Sequence, residues 1–197
     1  ILSSFLLSTG FTLMLAERLT LDLRRLAHTD GLTGLLNRGA LIEAGLRLVD
    51  ACRARGQACC VLMFDLDNFK AINDGWGHAA GDAVLNHFVE VIRDTGLAQG
   101  ALFARYGGEE FVLVLPAIDP AQAGAMAERM RAAVAARPAL FHGRPINITT
   151  SVGGAAAVDA NFEQLVSAAD VALYRAKRHG RNQVAWNPGG AVASVVP

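Results

Sequence analysis

The chain has 197 residues, of which 52% are apolar, and its 18 Lys and Arg balance 18 Asp and Glu. Such a chain suits one globular domain with a sizeable core and short extensions, and the composition excludes a disordered one. The charge balance gives no support for a general nucleic-acid-binding surface, which needs a basic excess, but leaves room for one nucleotide in a local pocket. Cys52, Cys59 and Cys60 are odd in number, and two of them adjoin within an apolar run. They read as buried reduced thiols of a cytosolic domain, not as a disulfide framework or a zinc site.

The chain opens at Ile1 without Met, and is expected to be part of a longer one. Residues 1–16 carry no charge and are mostly Leu, Phe, Ile and Met. They are short of the roughly 20 residues that cross a bilayer, and read as the end of a membrane helix or as an apolar helix packed on its own domain or on another copy. From Glu17 the chain is charged. Leu19, Leu23 and Leu26 form a heptad-like seam suited to a dimeric stalk over residues 17–28, with Arg18, Arg24 and Arg25 on the cytoplasmic side. Asp30, Gly31, Thr33, Gly34 and Asn37 are turn and cap residues that stop the stalk. A helix is expected over residues 39–55, with Leu41, Ala44, Leu48 and Ala51 on its apolar face.

Residues 58–64 are a continuous apolar run, which fits a central strand buried on both faces and ending in Asp65-Leu66-Asp67. Asp65 and Asp67 are two apart on an extended segment and so share a side. Phe69, Lys70, Asn73, Asp74, Gly77, His78, Gly81 and Asp82 follow closely. That string predicts a short helix, a turn over residues 74–77, and a second helix from near Gly81 to about Thr95. Asn73 and Asp82 would face each other across the turn. A carboxylate suits the N1–H and N2–H₂ donors of guanine, and an amide offers both donor and acceptor. The same residues also serve as ordinary helix ends and caps.

Residues 105–116 place Gly107, Gly108, Glu109 and Glu110 between two short apolar runs, a β-hairpin pattern. The glycines leave room for a ligand against the main chain. Adjacent strand residues point to opposite faces, so the two glutamates should have different jobs. A plain tight turn with a solvated acidic pair has the same pattern. If the two strands are neighbours, Asp65 and Glu109 face one cleft. Hard oxygen ligands there suit Mg²⁺ or Mn²⁺, and with phosphate oxygens they make up a two-metal phosphoryl-transfer site.

An Ala-rich helix is expected over residues 120–136, a loop at Pro138 and Gly143, and a strand over residues 146–155 with Ile148, Thr150 and Val152 alternating against Asn147, Thr149 and Ser151. The last long helix covers residues 161–179, with Phe162, Leu165, Val166, Ala169, Leu173 and Ala176 on its buried face. Lys177 and Arg181 lie four apart near its end. They complement the helix dipole or grip triphosphate oxygens. Gly180 ends the helix, residues 183–186 add a final strand, and the chain from Pro188 is a tail.

Together these motifs resemble the GGDEF family, the diguanylate cyclases, over residues 29–186. They include Asp30-Gly-Leu-Thr-Gly-Leu-Leu-Asn-Arg38, Asp65-Leu-Asp-Asn-Phe-Lys-Ala-Ile-Asn-Asp74 and Gly107-Gly-Glu-Glu-Phe111, the GGEEF variant. Ser151-Val-Gly153 and the run from Ala169 to Asn182 complete them. The resemblance implies a palm-like nucleotide-cyclase fold of the α/β class, a mostly antiparallel central sheet flanked by helices. It implies condensation of two GTP into cyclic di-GMP and two pyrophosphates across a homodimer, with two Mg²⁺ or Mn²⁺ per active site. It gives Asp65, the Leu66 carbonyl and Glu109 to the metals, and Asn73 and Asp82 to guanine. Lys177, Arg181 and main-chain groups near Phe69 and Lys70 go to phosphates, with Gly107 and Gly108 lining the nucleotide. Glu110 stands near the attacking 3′-hydroxyl, as proton acceptor or further metal ligand. Many members carry an Arg-x-x-Asp product-inhibition site just upstream of the GGEEF stretch. Ala98 and Ala101 occupy those positions, so feedback through that site is expected to be absent. A catalytically silent nucleotide-binding module, a mixed cyclic-dinucleotide synthase and a structural dimerisation domain are the other functions this string allows.

Overall fold

The computed structural model describes residues 28–187; the apolar segment, most of the stalk and the tail lie outside them. Strand β1 (Cys59–Leu66) is buried at every position, as its unbroken apolar run predicts. Its alternate side chains enter two different cores. Cys60, Leu62, Phe64 and Leu66 face one, and Cys59, Val61 and Met63 face the other. Strand β1 pairs antiparallel with β3 (Glu110–Pro116) on one side and with β6 (Thr150–Ala157) on the other. With β2 (Leu102–Gly107) and β7 (Val184–Asn187) the sheet runs β2-β3-β1-β6-β7, and only the β6–β7 pair is parallel.

Two helices cover one face. Helix α1 (Arg38–Ala54) is capped by the Asn37 side chain, which accepts from the Ala40 amide. Its buried line is Leu41, Gly45, Val49 and Cys52, shifted from the expected Leu41, Ala44, Leu48, Ala51. The shift follows from Gly45, where an added Cβ would come 2.5 Å from the Phe162 ring. Helix α5 (Phe162–Arg178) starts with a capping box between Asn161 and Gln164 and lies beside α1. The other face carries α3 (His78–Asp94) and α4 (Pro120–Ala136), the latter capped by Asp119 with Pro120 opening the helix. Short helix α2 (Phe69–Trp76) links β1 to α3.

Three further expectations are corrected. The predicted turn over residues 74–77 narrows to Gly77 alone, whose φ of 85° breaks the chain between α2 and α3, so α3 begins at His78. The expected loop after α4 holds a small hairpin, β4 (Ala139–Phe141) and β5 (Arg144–Ile146), turned at His142 and Gly143 with positive φ. Strand β6 is buried from Thr150 to Ala155 without the expected alternation, because both of its faces are covered. Its glycines make that possible. A Cβ on Gly153 would run into the Ala169 carbonyl and the Leu173 amide of α5, and one on Gly154 would come 2.8 Å from the Trp186 ring. The three cysteines are free and buried, and burial pushes the Cys60 thiol up to about 12.

The close approach of α5 to β6 predicts that Gly153→Ala costs about 3 kcal/mol, at the upper end for overpacking because backbone is struck. Urea unfolding should show it, with Gly31→Ala unchanged as control, since no atom lies within 4 Å of a Cβ built there.

Candidate active site

The antiparallel register sets Asp65 opposite Glu110 across β1 and β3, and opposite Ser151 across β1 and β6. Beyond the last paired residues the Leu66 amide donates to the Glu109 carbonyl at 3.3 Å. Glu109 therefore stands in the two-residue turn with Gly108, while Glu110 is the first residue of β3. The Asp65 side chain is 9% exposed, and Lys177 from the last turn of α5 reaches its carboxylate at 2.6 Å. Burial pushes the Asp65 carboxyl above its ordinary value; the Lys177 ammonium opposes that, and the neighbouring Glu109 and Glu110 charges add to it. Asp65 thus holds the Lys177 ammonium, with the charges of Glu109 and Glu110 close enough to act on it.

The hairpin has a brace that the sequence did not reveal. Arg105 on β2 donates through Nε to the Gly108 carbonyl at 2.8 Å. Its Nη1 reaches both oxygens of Asp30 at 3.2 Å. Asp30 in turn accepts from the Thr33 amide at 2.8 Å and from its hydroxyl at 2.6 Å. Burial pushes the Asp30 carboxyl upward, but Thr33 and Arg105 outweigh it and hold the group below its ordinary value. The segment is also stitched to β2 directly, by bonds from the Leu36 amide to the Phe103 carbonyl and from the Arg105 amide to the Leu36 carbonyl. The residues read as turn and cap formers therefore position the Gly-Gly-Glu-Glu hairpin.

The α2–α3 link brings Asn73 to the start of α3. A Cβ on Gly81 would meet the Asn73 side-chain oxygen, so Asn73 lies against the first turn of α3, one residue from Asp82. Asp82 is exposed and stands inside α3, well past the cap position at Gly77. Lys70 is exposed and Phe69 is buried, at the start of α2, where helix geometry leaves the first amides free. Asp65 and Asp67 do not act as a pair. Asp67 is taken by the Ser151 hydroxyl, the Thr149 hydroxyl and the Asn182 amide, at 2.7, 2.7 and 3.0 Å. Arg181 lies beyond the last turn of α5, with a φ of 61°. Glu110 borders a pocket of about 540 Å³ beside α1 and α5, lined also by Arg38, Tyr106, Met63 and Phe162. Ala98 and Ala101 close a tight turn through the Ala101 amide and Ala98 carbonyl and pack on the core.

Residues 27–183 match the model of the family described as diguanylate cyclase, GGDEF domain. The chain belongs to the GGDEF family. It is 45% identical over 168 residues to the diguanylate cyclase DgcP of Pseudomonas aeruginosa, a match covering 83% of this chain and 24% of that protein. It is 39% identical over 150 residues to diguanylate cyclase A of Treponema denticola, covering 73% of this chain and 39% of that one. The chain thus spans well under half the length of these two relatives. Among solved structures, the coiled coil and GGDEF domain of DgcB from Caulobacter crescentus, in complex with c-di-GMP, aligns with a TM-score of 0.83 at 34% identity, covering 91% of this chain and 95% of that one. The active GGEEF domain of a Vibrio cholerae diguanylate cyclase aligns at 0.72 and 29% identity, covering 79% and 99%. The mostly antiparallel sheet flanked by helices is the GGDEF, palm-like cyclase fold. Membership in this family of nucleotidyl-transferring enzymes implies a divalent-metal-dependent cyclisation.

Arg105→Met should destabilise the domain by about 1 kcal/mol, because it removes the charge-assisted tie between Asp30 and the Gly108 carbonyl while Asp30 keeps its bonds from Thr33. Hydrogen exchange should speed up most at the amides of residues 107–110, and unchanged exchange there would remove the bracing role.

Proposed function

We propose that this domain is a diguanylate cyclase that condenses two GTP into cyclic di-GMP and two pyrophosphates, each of two facing copies holding one nucleotide. The observation that carries the reading is the convergence of Asp65, Glu109 and Glu110 at one end of the sheet, in a chain of the GGDEF family. Asn73 and Asp82 take the guanine edge. Neither side chain has a hydrogen-bond partner among the described residues, so both are available to a base. The Asp82 carboxylate accepts from N1–H and N2–H₂, which adenine cannot offer in that pattern. The free first amides of α2 at Phe69 and Lys70 face phosphate oxygens, with Gly107 and Gly108 giving the main-chain clearance. Lys177 and Arg181 supply cations to the triphosphate.

The residues fit a divalent cation. Carboxylates outnumber the ammonium beside them, burial and mutual repulsion oppose the ionised form of Asp65, and only oxygen donors are present. No three His, Cys, Asp or Glu side chains among the described residues form a metal-holding group by themselves. Asp65, Glu109 and the Leu66 carbonyl would therefore share Mg²⁺ or Mn²⁺, two per site, with phosphate oxygens. When bound, the metal supplies Lewis acidity at the α-phosphate and lowers the pKa of the attacking hydroxyl. Glu110, on the strand rather than in the turn, accepts the proton of the 3′-hydroxyl or adds a ligand. Lys177 is bonded to Asp65 and stands close enough to shift to phosphate once the carboxylate has another counter-charge.

Outside the described residues, the Leu19–Leu23–Leu26 seam would dimerise the chain. Residues 1–16 would be the end of a membrane anchor on a cytoplasmic catalytic domain. No helix among the described residues is long and apolar enough to cross a membrane.

Incubation with GTP and Mg²⁺, followed by chromatography of the nucleotides, tests the reading. Cyclic di-GMP and pyrophosphate are expected, and Asp65→Asn or Glu109→Gln should reduce turnover by about a thousandfold or more. Binding without turnover in a sample shown to be dimeric would favour a silent module, and a mixed product from GTP with ATP would reassign the specificity. Added cyclic di-GMP should leave turnover unchanged, since Ala98 and Ala101 replace the charged pair of the inhibitory site; strong inhibition mapped to that turn would contradict this.

A further inference from the structure

The turn that follows α5 is held in an unfavourable conformation from several sides. Arg181 and Asn182 are consecutive non-glycine residues with φ of 61° and 44°, after Gly180 at 112°. Such backbone persists only where its surroundings over-determine it. Here the Arg181 amide donates to the Ala176 carbonyl at 3.1 Å. The Asn182 amide donates to Asp67 Oδ2 at 3.0 Å. Asp67 is itself locked to β6 and the residue before it by the Ser151 and Thr149 hydroxyls. The Asn182 side-chain oxygen accepts from Arg131 Nη1 at 2.7 Å. Arg131 belongs to α4, in the opposite helix layer from α5, and its guanidinium is oriented by Glu128 through Nε and Nη2. The Arg131 side chain is 18% exposed. The guanidinium of Arg181, by contrast, is exposed and has no partner among the described residues.

We propose that Arg131, acting through Asn182, is a positioning residue that fixes Arg181 for the triphosphate, with Asp67 as the buried anchor of the turn. Without the tie from α4, Asn182 keeps only its backbone bond, and the strained pair can relax toward ordinary backbone angles. That relaxation would swing the Arg181 side chain away from the position it holds beyond Lys177. The idea rests on the reading of Arg181 as a phosphate ligand, and extends it to residues 50 positions apart in the chain that no local pattern connects. It predicts that the tie matters for the phosphate end of the nucleotide and not for the base.

The test is calorimetric titration of the full chain with GTP and, separately, GMP, using Ca²⁺ in place of Mg²⁺ to hold nucleotide without turnover. Arg181→Ala should weaken GTP roughly tenfold and leave GMP within about twofold. Arg131→Met should weaken GTP about three- to fivefold with GMP unchanged, and the double variant should bind GTP no worse than Arg181→Ala alone. Asn182→Gly keeps the amide to Asp67, tolerates positive φ and loses only the bond to Arg131, so it should reproduce the Arg131→Met result even if that variant folds poorly. Equal losses for GTP and GMP, or losses that add to those of Arg181→Ala, would make the tie merely structural and overturn the proposal. GTP affinity unchanged in Arg131→Met and Asn182→Gly, but weakened in Arg181→Ala, would overturn the proposal and leave the phosphate reading standing. Unchanged GTP affinity in Arg181→Ala would overturn both.

Discussion

The Asp65 carboxylate stands at the end of a strand that is buried along its whole length and bonded on both edges. Its position is set by the β1–β3 and β1–β6 ladders, not by a loop. A one-residue slip in either ladder would turn Asp65 into the opposite core and expose an apolar residue to the cleft, so register and site geometry are the same constraint. The aromatic cluster under the site adds to this. Phe88 from α3 packs against Phe64 of β1 and Phe111 of β3, with ring centroids 5.9 and 4.6 Å apart. The strand that carries Asp65 and the strand that carries Glu110 are thereby fixed to a common support.

The site then has an electrostatic cost that the fold meets only in part. Burial and the two glutamates work against an ionised Asp65, and among the described residues Lys177 is the one cation that works for it. A buried carboxylate with one ammonium and two like neighbours is poor design for stability alone. It is sound design for a site that completes itself with divalent charge and phosphate. The surrounding braces follow the same logic. Arg105 ties the glycine turn of its own hairpin to the Asp30 segment, and Arg131 ties the Arg181 turn to α4, so each turn is pinned through a guanidinium to a distant part of the chain.

The parts legible in the sequence were those with local causes. Strand β1 could be read from an unbroken apolar run, helix α4 from its Ala-rich stretch, and the hairpin from Gly107 and Gly108 between apolar stretches. The placing of Asn73 against the start of α3, beside Gly81, followed from a short helix and a breaking glycine. What stayed hidden depends on tertiary contact. The α1 face is set by the Phe162 ring lying on Gly45, far along the chain. Asp30 and Arg105 are 75 residues apart, and Asp67 and Asn182 are 115 apart, so no spacing rule joins them. The β4–β5 hairpin was missed because its strands are three residues each and one contains Pro145.

The account turns on whether the Asp65 cleft is completed by a cation that releases Lys177 to the nucleotide. Anomalous diffraction from crystals of the chain with Mn²⁺ and a non-cyclising GTP analogue measures this directly. The account predicts manganese peaks bounded by the Asp65 and Glu109 carboxylates and the Leu66 carbonyl, with Lys177 moved from Asp65 to a phosphate oxygen. Nucleotide bound with Lys177 still on Asp65, and no manganese between Asp65 and Glu109, would contradict it.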